Sequence, residues 1–200
     1  MSLRTKVELL ALAALAAGAL LAGWLLVRGG ISAREQPGAL ETFVAGRMRR
    51  LAIPSAARDA ANPVAPGPDI LAEARAHFAD HCAVCHGNDG RGETTIGQNL
   101  YPKAPDMTAA GTQGLTDGEI FYIIHNGVRL TGMPAWGGGS EKDDLDSWKL
   151  VYFIRHLPSM TSDEIEQMKA QNPVSRRELE EEKEIQDFLE GGQPPPAEHP

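Results

Sequence analysis

Hydrophobic positions fall along this chain in three distinct patterns. From Leu9 to Val27 the sequence LLALAALAAGALLAGWLLV carries no charge, and about 20 apolar residues are what a helix needs to cross the hydrocarbon of a bilayer. Leu40, Phe43, Val44, Met48 and Leu51 then recur at helical spacing with Arg47, Arg49 and Arg50 beside them, which predicts an amphipathic helix over 38–51. Beyond Pro68 the pattern breaks into short helical stretches. Asp69 is the expected cap of a helix running to Cys82, and Gly87, Gly90, Gly92, Gly97, Pro102 and Pro105 interrupt any period after it. Thr116 and Glu119 form a capping box that opens a helix ending at Asn126-Gly127. A further helix is expected from Asp144 to His156, before Pro158. Two capped segments, Thr161 to Gln171 and Ser175 to Leu189, flank Pro173. No stretch alternates with the period of a strand, so the predicted fold class is all-α.

These patterns divide the chain into an anchor (1–28), a linker with its amphipathic helix (29–67), a central domain (68–160) and an acidic tail (161–200), helical at first and disordered over its last ten residues. The central domain is small and glycine-rich, a composition that calls for a cofactor at its centre. The apolar run of the anchor exceeds the usual 7–15 residues of a signal peptide, although Ser32-Ala33 offers a passable cleavage site. Arg4 and Lys6 precede the span and Arg28 alone follows it at once, favouring a cytoplasmic N-terminus and everything after Gly29 on the periplasmic or equivalent side. The amphipathic helix has two readings, one lying on anionic lipid and one packed on the soluble domain or a partner subunit.

Charge sharpens the division. The net charge of −8 splits into +4 over 1–68, −5 over 69–160 and −7 over 161–200. No basic stripe interleaved with aromatics crosses the central domain, which argues against a nucleic-acid partner. The run at Glu180, Glu181, Glu182 and Glu184 reads as a solvated face.

The chemistry concentrates in Cys82-Ala-Val-Cys85-His86, which holds both cysteines of the chain. Cys-x-x-Cys-His is the haem attachment signature: each thiol adds to a vinyl group, and the adjacent histidine is delivered to the iron. A zinc site would need more ligands, and a dithiol redox pair would want a strand and parallel sheet around it. The expected cofactor is one covalently attached haem c. A ligand opposite His86 would be Met or His. Met133, in Thr131-Gly-Met-Pro-Ala-Trp136, is the leading candidate because Pro134 holds it in an extended conformation between two helices. Met107 ranks below it. Met48 and Met160 lie outside the loop region and Met168 lies in the tail. His77 and His81 are expected to face solvent, and His125 to be satisfied within the structure.

The order helix, Cys-x-x-Cys-His, glycine-rich loop, Pro-Asp, capped helix, Gly-Met-Pro, closing helix resembles class I cytochrome c, particularly the bacterial monohaem type. The resemblance covers about 69–158. It implies that the first and last helices cross, with Ala74 and Phe78 meeting the Val151-Tyr152 region. It also implies that the outer nitrogen of His86 bonds to a proline carbonyl on the following loop, a place that Pro105 fits, with Pro102 in reserve. The function it implies is electron transfer between donor and acceptor proteins of a respiratory chain, at a bilayer, with His86 and Met133 on the iron and no small-molecule substrate there. Alternatives are a fixed haem subunit of a larger oxidoreductase and a haem-based gas sensor.

Overall fold

The structure, a computed structural model, describes residues 2–28, 32–174, 183–186, 188–189 and 191. The box at Ser175 and the acidic residues Glu180 to Glu182 lie outside the described residues, as does 192–200. Among the described residues every regular element is helical, in keeping with the all-α reading.

The chain divides into two units, Met1–Glu35 and Gln36–Pro200. The first holds α1 (Leu3–Arg28), a helix long and apolar enough by composition to cross a membrane. Among its described side chains none is buried.

The second unit begins with α2 (Ala39–Ala52), close to the range its periodicity predicts, and a single turn, α3 (Ser55–Arg58). The prolines around them suggest a tether, yet Ile53 is 3 % exposed and Ala60 and Val64 pack on the core. Asn62 fixes the crossing by donating from Nδ2 to the Trp148 carbonyl at 3.0 Å.

α4 (Pro68–His81) starts two residues earlier than expected. Gly67 occupies the cap position without a side-chain bond, and Pro68 takes the first turn, where a missing N–H costs nothing. Asp69 thus lies inside the helix, next to the positive end of its dipole. α5 (Ala83–His86) and α6 (Thr95–Gln98) follow, then α7 (Ala110–Gln113) and α8 (Asp117–Asn126). The Thr116–Glu119 box is complete, with Glu119 N donating to Thr116 Oγ1 and Thr116 N to the Glu119 carboxylate. Gly127 ends α8 with φ +65°. α9 (Glu141–His156) starts three residues earlier than predicted because Ser140 caps it, accepting from Asp143 N at 3.2 Å. A 3-10 turn (Leu157–Ser159) leads to α10 (Ser162–Lys169).

α4 crosses α9, α8 packs on α9, and α10 packs on α4. Ala74, Phe78, Val151 and Phe153 are buried in this core, and the ring partner of Phe78 is Phe153, with centroids 4.9 Å apart. Met168 is fully buried in the same core, so the first part of the presumed tail belongs to the domain.

Candidate haem site

One helical turn assembles the attachment motif. Cys82 ends α4, and its carbonyl accepts from both Cys85 N (3.2 Å) and His86 N (2.9 Å), which brings the cysteines and the histidine together. Gly87 then reverses the chain with φ +72°. The glycine-rich stretch that follows is tightly bonded although its only regular element is the single turn α6. Gly92 N donates to the His86 carbonyl at 2.7 Å and Met107 N to the Gly90 carbonyl at 2.8 Å. Thr94 Oγ1 reaches the Cys85 carbonyl at 3.0 Å. A Cβ at Gly97 would run into that same carbonyl, so a glycine is required for the loop to close over the motif.

Met133 is held from the other side of α8. Val128 N donates to the Met133 carbonyl at 3.1 Å, and Met133 N donates to Thr131 Oγ1 at 3.1 Å. Trp136 N and Gly137 N tie the end of this loop to the carbonyls of Ile124 and His125. A Cβ on Gly127 would sit 2.6 Å from Ala135 N, so the same glycine that stops α8 lets the methionine loop fold back on it.

Cys82, Cys85, His86, Pro105 and Met133 all line one cavity of about 340 Å³. Phe78, Leu115, Ile120, Ile124, Leu150 and Ile154 give it apolar walls. Met107 also lines it, 7 % exposed, and its carbonyl is clamped by Gln113 Nε2, which donates at 2.7 Å there and at 2.9 Å to Ile154. Arg155 secures the same wall by donating to Asp117 and to the Gln113 carbonyl.

Burial decides the protonation of these groups. It pushes the Cys82 thiol up to about 12, with the neighbouring Cys85 adding to the shift, and it raises Cys85 as well. A thiol tuned for disulfide exchange is shifted the opposite way. Burial also pulls the His86 imidazole below its usual range, and the Pro105 carbonyl, acting as a backbone acceptor, opposes that. His86 Nδ1 is buried without a partner at full hydrogen-bond geometry. Among the described residues no group of three or more His, Cys, Asp or Glu side chains is placed to hold a metal ion. Two neutral thiols, a neutral imidazole and a thioether around an apolar void fit a covalently held haem better than a bare ion.

The remaining histidines lie elsewhere in the design. His81 is exposed but lines the edge of the cavity and meets Trp136 edge to face, with centroids 5.4 Å apart. His125 Nδ1 lies 3.2 Å from Asp144 Oδ1 in a misaligned contact, with its ring stacked on Phe121. Arg49 and Lys103 also line the cavity. Arg49 lies in the segment read as linker, and only its membership of the amphipathic, arginine-bearing helix α2 could have signalled it.

The family model of cytochrome c oxidase, cbb3-type, subunit III matches residues 69–154. No curated protein sequence matches the chain. The match spans α4, the cysteine motif, the methionine loop and all but the end of α9, and residues 69–154 are therefore a class I c-type cytochrome domain.

Proposed function

We propose that this chain is a membrane-anchored monohaem electron carrier in which Cys82 and Cys85 hold haem c covalently and His86 and Met133 ligate its iron. The observation that carries this reading is the convergence of four residues, the last of them far along the chain, on one apolar cavity. When bound, haem supplies a one-electron couple. The chain's own residues orient it, exclude water and set its potential. Met with His raises the potential, and the walls of Phe78, Leu115, Ile120 and Ile154 raise it further by disfavouring extra charge. Pro105 steadies the His86 ring.

α1 supports an anchor that leaves the domain on the periplasmic side of the cytoplasmic membrane, between donor and acceptor proteins of a respiratory chain. Tethering raises the local concentration of the domain near such partners. The test is extraction with acid acetone and haem staining of a denaturing gel. Haem should stay on the polypeptide, and Cys82→Ala or Cys85→Ala should weaken or abolish attachment. Haem that extracts freely from the wild type refutes the reading.

A second reading, a fixed haem subunit of a larger oxidoreductase, draws support from the family model itself, whose description names an oxidase subunit. Recovery of stoichiometric partner subunits after purification in mild detergent would favour it over a mobile carrier.

A further inference from the structure

α2 presents two different faces. Glu41, Ala45 and Arg49 share one side, four residues apart each time. That side meets the cytochrome unit: Tyr101 Oη donates to Glu41 Oε1 at 2.7 Å, and Arg49 lines the cavity. The C-terminal end of the helix is tied down as well, since Arg58 Nη2 donates to the Arg50 carbonyl at 2.8 Å. Leu40, nine positions before Arg49, is half a turn out of phase with it, about 180° around the axis. Leu40, Phe43 and Leu51 lie on that opposite side, 77 %, 60 % and 83 % exposed, and Val44 and Met48 continue the apolar surface toward the Glu41 flank at 44 % and 64 %. Arg47 lies among them with its guanidinium 5.4 Å from the Phe43 ring centroid, and Arg50 flanks them.

We propose that this apolar face is buried in the headgroup layer of an anionic bilayer, so that α2 is an interfacial helix carrying the cytochrome domain on its back. Three observations select lipid as the occupant. Only ten residues, 29–38, separate α2 from the end of α1, and such a segment reaches at most about 35 Å. The face mixes exposed apolar residues with Arg47 inside it and Arg50 at its edge, a basic amphipathic surface of the kind that inserts among anionic headgroups. The opposite side of the helix is turned toward the domain by the Tyr101–Glu41 bond, with its own residues still exposed. A helix is about 10 Å across, so Arg49 and the cavity edge it lines would stand roughly one helix width above the lipid, within reach of a membrane-embedded redox partner. The proposal rests on α1 being a retained membrane span.

The test uses the full-length haem-loaded protein in phosphatidylcholine vesicles containing phosphatidylglycerol and a diazirine-bearing phospholipid, with photo-adducts mapped on peptides. Adducts are expected on α1 and on 40–51. The double variant Phe43→Ser, Leu51→Ser should lose those on α2 and keep those on α1, and omission of phosphatidylglycerol should reduce the α2 adducts. Labelling of α1 alone overturns the proposal and leaves the anchor intact. Labelling of neither segment overturns both. In a parallel sample with a photo-crosslinking residue in place of Leu40, protein–protein crosslinks without lipid adducts would give the face to a second copy or a subunit and also overturn it. Wild-type labelling decides the matter even if the variant fails to retain haem.

Discussion

Asn88 and Asn172 exchange side-chain hydrogen bonds: Asn88 Nδ2 donates to Asn172 Oδ1 at 2.8 Å and Asn172 Nδ2 to Asn88 Oδ1 at 3.0 Å. Asn172 Nδ2 also donates to the Ala79 carbonyl at 3.0 Å. One amide thus ties the loop after the cysteine motif, the last turn of α4 and the segment after α10. Asn172→Ala would leave partly buried polar groups unsatisfied, each costing about 1–3 kcal/mol. The expected result is a loss of that order in a denaturant titration, with the haem still attached. An unchanged midpoint would show that the segment after α10 does not brace the loop.

Gly118 marks where α3 is pressed against α8. A Cβ there would run into the Ala57 carbonyl. Beside it Thr116 Oγ1 donates to the Arg58 carbonyl at 2.7 Å, and Arg58 Nε lies 3.6 Å from the buried carboxylate of Glu119. Gly118→Ala should cost roughly 1–3 kcal/mol through this overpacking. Proteolysis between 53 and 67 is expected to accelerate in the same variant, since the segment loses its seat. A variant as stable and as resistant as wild type would make the segment a free tether.

The two methionines of the cavity should separate cleanly. Met133→Ala should lower the reduction potential, abolish the weak far-red ferric absorption of sulfur-to-iron coordination and admit carbon monoxide to the reduced protein. Met107→Ala should keep that absorption and lose about 2–5 kcal/mol of stability, because it empties a buried core position. If wild type lacks the far-red band and already binds carbon monoxide, the gas-binding alternative takes precedence.

Glu164 supplies a pH dependence. The Thr161 backbone N–H, and next the His156 side chain, hold its carboxyl down to about 2, from an ordinary 4.5. A depressed folded-state pKa stabilises the fold above the unfolded value and loses that contribution as pH falls toward the folded one. Stability should therefore drop between about pH 4.5 and 2 in proportion to this group. Thr161→Ala, which keeps that backbone N–H, should remove about 1 kcal/mol at neutral pH through loss of the cap, whereas Glu164→Gln should flatten the slope, as read from denaturation midpoints against pH. An unaltered slope would place the acid sensitivity elsewhere.

The cysteine motif, the Thr116 box, the Gly127 stop and the apolar run of α1 were legible in the sequence because each depends on neighbours within a few positions: a turn of helix, a side chain reaching its own backbone, an uninterrupted length of hydrocarbon. The crossing of α4 and α9 was legible only through a family resemblance, and even so the partner of Phe78 proved to be Phe153, because a ring's neighbour depends on the crossing geometry. What lay out of reach was long-range. Proline and glycine in 53–67 signal a chain that cannot continue a helix, which says nothing about whether Asn62 finds the Trp148 carbonyl. Met168 carries no local mark that separates a core residue from one on an acidic helix, and its complete burial comes from α10 packing on α4. The amphipathic period of α2 was evident, but which side turns to the domain was decided by Tyr101, distant in sequence from Glu41. Local hydrogen bonding and solvation are properties of a short stretch of chain and can be read from it, whereas burial is a property of whichever remote surface the folded chain brings alongside.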